Sequence, residues 1–390
     1  MITSSLCNKS TSVTSKAFGV PALLRSVCLA LVAGNSMAVE PLENWHEVAQ
    51  KTPMDAVVGA FDNIQSIRQW VLYGQEACAD KEKHILFDGT GNFLTDVPTK
   101  KDERKENQEK INQAREALAQ EAKIAFWAPG KLSNPGYPFA LACEQPEVDM
   151  KGATERYLGQ DRADRFYGSW KGIKVGSRKK PVSLHEALKI VYDARQKQGK
   201  LSFPSSQLSY LSGQVLIESG GKRDVKSSSR AVGVLQLLPS VLRECGVRKR
   251  NYYNRIAQID CALQLTEQNH SFLQEPFKQQ FASLPPHKQK ELYDLILIQA
   301  YHGGVGRVRS LLADPDLSLP AQFYAKDDRP FSAGDIAFGM VYNNLGKKQL
   351  GMASLYYVAD VTLAARELCN HSKMRAEAMC RNQPQMISQN

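Results

Sequence analysis

The sequence lacks most of the patterns that settle a function quickly. It has no C-x-x-C pair and no cysteine–histidine spacing of the zinc-module kind, so neither a metal nor a cofactor is expected. No RNP-like aromatic motif and no helix-turn-helix pattern occurs, which argues against nucleic acid as a partner. No G-x-S-x-G turn marks a serine hydrolase. There is no internal repeat, which excludes a solenoid or propeller. Beyond one short apolar run near the start, no segment approaches a membrane span.

The rest is ordinary globular material. In 390 residues, 43% are hydrophobic and 23% charged, enough apolar content for one large or two ordinary domains. The formal charge of +10 favours a polyanionic partner such as nucleic acid, anionic lipid or an acidic cell-wall polymer, and no patch is dense enough to choose among them.

The first 25 residues carry Lys9, Lys16 and Arg25 and no acidic residue. The short apolar core "SVCLALVAG" follows, with Ser36 and Ala38 at the −3 and −1 positions of a cleavage site. This is the layout of a secretory signal peptide over 1–38, which predicts an exported, periplasmic mature chain without a transmembrane segment. Cys78, Cys143, Cys245, Cys261, Cys369 and Cys380 then remain. An even number in an exported chain permits disulfides, and proximity favours Cys369–Cys380 and Cys245–Cys261; buried free thiols are the alternative for any of the six.

Three zones follow the leader. Residues 39–200 give no motif that converts into chemistry: an amphipathic segment opens them, "DGTGN" reads as a turn, and a long polar helix places Ile111, Leu118 and Ala125 at heptad spacing. "APGKLSNPGYPFALACEQP" reads as irregular, and "SLHEALKIVYDARQKQGK" as a helix opened by a serine cap. Residues 201–365 hold an apolar helix that exits at Gly220 and Gly221, a second that stops at Gly303 and Gly304, and a third over "MASLYYVADVTLAARELC". A polar tail, 366–390, completes a chain that reads as mostly α, with a fold of unknown type before residue 200.

Glu218 stands out within the first of those helices. At 100° per residue, Leu208, Leu211, Val215 and Glu218 share one quadrant, so the carboxyl continues the apolar stripe. Desolvation at that position disfavours the charged form and raises the pKa, which is what a general acid requires.

The residues that follow carry a resemblance. From Glu218 the pattern E-S-G-x(6)-S-S-x-x-A-V-G-V-L-Q-L-L-P resembles the catalytic motif of soluble-type lytic transglycosylases, in the goose-type lysozyme-like group. Glu218, Ser219, Ser227, Gly233, Gln236 and Pro239 fall at that family's spacing without a gap. Ala300 to Val308, "AYHGGVGRV", is similar to its A-Y-N-A-G-x-G-R-V block, and Tyr357-Val358 to its late Tyr-Val, with Tyr356 an equal candidate for the aligned tyrosine. The resemblance spans roughly 205–360. It implies an α+β lysozyme-like catalytic domain that cleaves the β-1,4 bond between N-acetylmuramic acid and N-acetylglucosamine in peptidoglycan, leaving a 1,6-anhydro product. It further implies Glu218 as catalytic acid and later base, with Ser227, Gln236, Tyr301, His302 and Tyr357 lining the substrate groove and the Tyr301 hydroxyl approaching Glu218. Gly303, Gly304 and Gly306 free the backbone for a turn beside it.

The chain departs from the pattern in four places. His302 replaces an asparagine, Leu235 and Leu238 replace methionines, the acidic residue before the late Tyr-Val is missing, and an insertion surrounds "EPFKQQFASLPPHKQ". Glycosidases commonly use two carboxyls. Near Glu218 in sequence only Asp224 offers a second, in the variable part of the motif. The competing expectations are a hydrolytic muramidase and a non-catalytic wall-binding component of an envelope-spanning secretion or conjugation apparatus.

Overall fold

In the computed structural model, which describes residues 40–51, 58–144, 149–347, 350–351 and 353–381, helices dominate and a small sheet accompanies them. The expected leader and its cleavage point lie outside the described residues, as do 382–390. The part before residue 200 supplies α1 (Trp45–Lys51), α2 (Ala60–Tyr73), β1 (Lys83–Phe87), β2 (Phe93–Pro98), α3 (Arg104–Gln120), β3 (Phe139–Ala142), α4 (Met150–Tyr157), β4 (Gly168–Trp170), β5 (Ile173–Val175) and α5 (Leu184–Lys197). After it come α6 (Gln207–Ser219), α7 (Pro239–Glu244), α8 (Arg255–Phe281), α9 (Pro286–Gly303), α10 (Val305–Ala313), α11 (Leu319–Lys326), α12 (Ala333–Tyr342) and α13 (Ala353–Asn370). The molecule is mostly α.

Local chemistry sets several boundaries. Ser183 opens α5 with a capping box: its hydroxyl accepts from the Glu186 amide while the Glu186 carboxylate accepts from the Ser183 amide. Asp88 accepts from the Thr90 and Asn92 amides, closing the "DGTGN" turn that joins β1 to β2. The antiparallel sheet runs β2–β1–β3, so the segment read as irregular contains a strand, Phe139–Ala142. The polar helix also ends sooner than its heptad spacing suggests. Ile111 and Leu118 are buried on α3, whereas Ala125 lies beyond it, exposed, after a left-handed Ala122 (φ 54°) turns the chain. The first half of "EPFKQQFASLPPHKQ" continues α8 as helix, with Pro276 inside it, and its last residues begin α9.

Residues from both sides of position 200 build both main cores. One joins Ile64, Ile85 and Phe139 to Ile298, Phe338 and Val358. The other joins Tyr157, Leu184 and Val191 to Leu211, Val215, Ile259 and Leu368. The expected boundary near 200 therefore divides no core. Helix α13 contributes to both, and Ile217 and Tyr301 pack against both, which puts the end of α6 and the end of α9 on the seam. Cys245–Cys261 and Cys369–Cys380 are disulfides, and Cys78–Cys143 is a third that proximity did not single out. Among the described residues, no helix is long and apolar enough to cross a membrane.

Candidate active site

Helix α6 is held on three sides before it delivers Glu218. Leu208, Leu211 and Val215 bury its apolar stripe. Gly213 faces α13 so closely that a Cβ there would lie 2.5 Å from the Val361 carbonyl oxygen. From α4, the Tyr157 hydroxyl shares a 2.6 Å hydrogen bond with Ser212 Oγ, and the Arg156 guanidinium donates to the Gly220 carbonyl at 2.6 Å. That guanidinium sits where the helix leaves carbonyls unpaired and where the macrodipole favours a cation. Gly220 (φ 60°) and Gly221 (φ 76°) then turn the chain out of the helix, a conformation that a side chain would oppose.

Glu218 is half-buried at this exit, on the wall of a cleft of about 920 Å³. Burial pushes its carboxyl up to about 7, although a hydrogen bond from Tyr357 pulls the other way. The Tyr357 hydroxyl donates to Glu218 Oε1 at 2.7 Å. Burial, the Glu218 charge and neighbouring Tyr301 push the Tyr357 phenol well above its usual range, so it stays a donor. Its neighbour Tyr356 points elsewhere, lying 4.5 Å from the Arg68 guanidinium, so Tyr357 is the tyrosine that meets the acid. His302, exposed at the end of α9, stacks on the Tyr357 ring with centroids 4.4 Å apart. Tyr301 lies near enough to Glu218 for that charge, with burial, to push its phenol well above its usual range, while its hydroxyl donates to the Leu235 carbonyl at 2.7 Å. It reaches the loop because Leu235 presents an unpaired carbonyl there, and an irregular segment must satisfy such groups outside a ladder.

The same need occupies the loop's polar residues. Ser219 Oγ donates to the Val234 carbonyl at 2.8 Å and accepts from the Gly221 amide at 3.1 Å. Gln236, left-handed at φ 45°, spends its side-chain amide on the Val225 and Gly233 carbonyls at 3.1 and 2.8 Å. Ser227 Oγ accepts from the Ala231 amide and lies 2.8 Å from Ser229 Oγ. Both Gln236 and Ser227 line the cleft, yet their hydrogen-bond partners brace the loop. Gln258 of α8, almost fully buried, anchors the loop from behind: it donates to the Val232 carbonyl at 3.0 Å and accepts from the Leu235 amide at 3.2 Å.

Around the cleft, Glu218 is the one carboxylate among the described lining residues. Asp224 is exposed and pairs with Arg223 at 3.4 Å instead. Among the described residues no three His, Cys, Asp or Glu side chains converge as metal ligands. The arrangement can donate one proton into an open cleft near neutral pH and take one back. Sequence reasoning missed Gln214, buried beside the Tyr357 hydroxyl, together with Arg156 and Gln258. Their signals are long-range pairings of common polar residues, invisible without the fold. No family model matches the chain, and no curated protein matches it.

Proposed function

We propose that the protein is a peptidoglycan lytic transglycosylase with a lysozyme-like catalytic region and Glu218 as its single acid and base. The observation that carries the reading is the lone carboxyl of the cleft, held near neutral pKa by burial and gripped by Tyr357. The ungapped Ser219, Ser227, Gly233 and Gln236 after it add support.

A single carboxyl suffices when the substrate itself supplies the nucleophile. Protonated Glu218 gives its proton to the glycosidic oxygen as the bond to C1 of N-acetylmuramic acid breaks. The C6 hydroxyl of the same sugar attacks C1, and the Glu218 carboxylate accepts the hydroxyl proton. A 1,6-anhydro ring forms, no water is consumed, and Glu218 returns to its acid form. Tyr357 orients the carboxyl and stabilises its anionic stage, since a hydrogen bond to the charged form favours that form.

The direct test is product analysis on purified sacculi with wild type and Glu218→Gln side by side. Expected are 1,6-anhydro ends from wild type and none from the variant. Reducing ends would show water as the nucleophile and a hydrolytic muramidase. Equal clearing by both proteins would remove Glu218 from the chemistry.

A further inference from the structure

The segment that leaves α6 is unusually basic where it borders the cleft. Residues 222–230 contain Lys222, Arg223, Lys226 and Arg230 against one carboxylate, Asp224, which Arg223 already engages. Lys222 and Lys226 are exposed, line the same cleft as Glu218, and have no carboxylate partner among the described residues. Glu218 offers them little compensation, because its burial favours the neutral carboxyl. Arg230 sits at φ 70° in the turn that Ser227 closes, where backbone preference favours glycine. Among the polar groups of the loop that line the cleft, Ser227 and Gln236 are committed to the backbone and Ser228 and Ser229 are neutral hydroxyls, which leaves the two ammonium groups as the charged donors placed to meet a ligand.

We infer that Lys222 and Lys226 are specificity-determining residues that hold a carboxylate borne by the glycan strand beside the scissile bond. The inference rests on the cell-wall reading of the cleft and names which strands it prefers. A chain of neutral N-acetylhexosamines gives an ammonium group only hydroxyl and amide oxygens, and binding it desolvates two cations without a counter-charge. A peptidoglycan strand supplies carboxylates from its stem peptides, or from the lactyl group where the peptide has been removed. The chemistry is the same from either source.

The test is equilibrium binding to the inactive full chain, Glu218→Gln, with and without the added pair Lys222→Gln and Lys226→Gln. Three ligands separate the sources: neutral chitohexaose, peptide-free murein strands, and peptide-bearing strands. The pair is expected to weaken binding of an anionic ligand by about five- to tenfold, as two partly exposed ion pairs would. It should change chitohexaose binding far less, and the difference should shrink as salt rises. Loss confined to peptide-bearing strands assigns the anion to the stem; loss confined to peptide-free strands assigns it to the lactyl group. Equal loss on all three ligands, or none on any, overturns the inference while leaving the proposed activity standing. If the Glu218→Gln protein binds none of the three, the cell-wall reading itself falls, and this inference with it. Thermal melting of both proteins checks that the exposed substitutions leave the fold intact.

Discussion

Glu218 works against the stability of its own fold. Its carboxyl sits at about 7 against an ordinary 4.5. Below 4.5 both folded and unfolded chains hold the proton, and nothing is lost. Between 4.5 and 7 the unfolded chain ionises first, so stability falls as pH rises, and above 7 the loss is complete. A shift of this size corresponds to about 3 kcal/mol at most. Glu218→Gln is therefore expected to melt higher than wild type at pH 8, with the gap closing toward pH 4.5, as scanning calorimetry across that range would record. Activity should decline as pH rises through about 7, when the acid form is lost. Tyr357→Phe removes the hydrogen bond that stabilises the carboxylate, so the alkaline limb of the pH–rate profile should move up while the maximal rate falls. An unmoved limb would detach Tyr357 from the titration of Glu218.

At the scale of elements, the pairing of α6 with α13 sets the site. Gly213 lets the two backbones approach, and that approach brings the Tyr357 hydroxyl to Glu218. Gly213→Ala would press a methyl against the Val361 carbonyl and force the helices apart. The expected cost is about 1–3 kcal/mol of stability, with a loss of kcat that persists well below the melting temperature. Chemical denaturation beside kinetics at 25 °C separates the two effects. The sequence announced α6 itself, because its apolar stripe and paired glycines are local signals. It did not announce Gly213's role, since a helical glycine reads as a weakness until its neighbour is known. Tyr356 and Tyr357 were equivalent in sequence for a similar reason. Only the rotation of α13 sends one to Arg68 and the other to Glu218.

Across the whole molecule, the region before residue 200 serves as a buttress. Helix α2 docks on α13 through a buried ion pair, Arg68 to Asp360 at 2.6 and 2.8 Å, and through Gln65 to Thr362 at 2.8 Å. Helix α4 caps the exit of α6 through Arg156. The Cys78–Cys143 disulfide closes a loop with a sequence separation of 65, linking the turn after α2 to the end of β3. Closing a loop of that length constrains the unfolded chain by about 4 kcal/mol. Replacing both cysteines by alanine should lower stability by roughly that amount in a urea titration while leaving the rate at 25 °C near wild type, because α2 keeps its polar anchors to α13. A rate that fell with the disulfide intact-to-absent change alone would place the sheet nearer to the site than its contacts indicate.

What the sequence determined by itself was local: the helix periods, the serine cap of α5, the glycine exit of α6, and the alignment of a carboxyl with an apolar stripe. Each follows from interactions within a few turns of chain. The tertiary structure decided what those signals could not carry. It chose Tyr357 over Tyr356, turned Tyr301 toward Leu235, and committed Gln236 to its own loop. It also built the support of Glu218 from residues more than sixty positions upstream, Arg156 among them. Side-chain partners across such separations depend on how helices rotate and approach, and no local pattern encodes that.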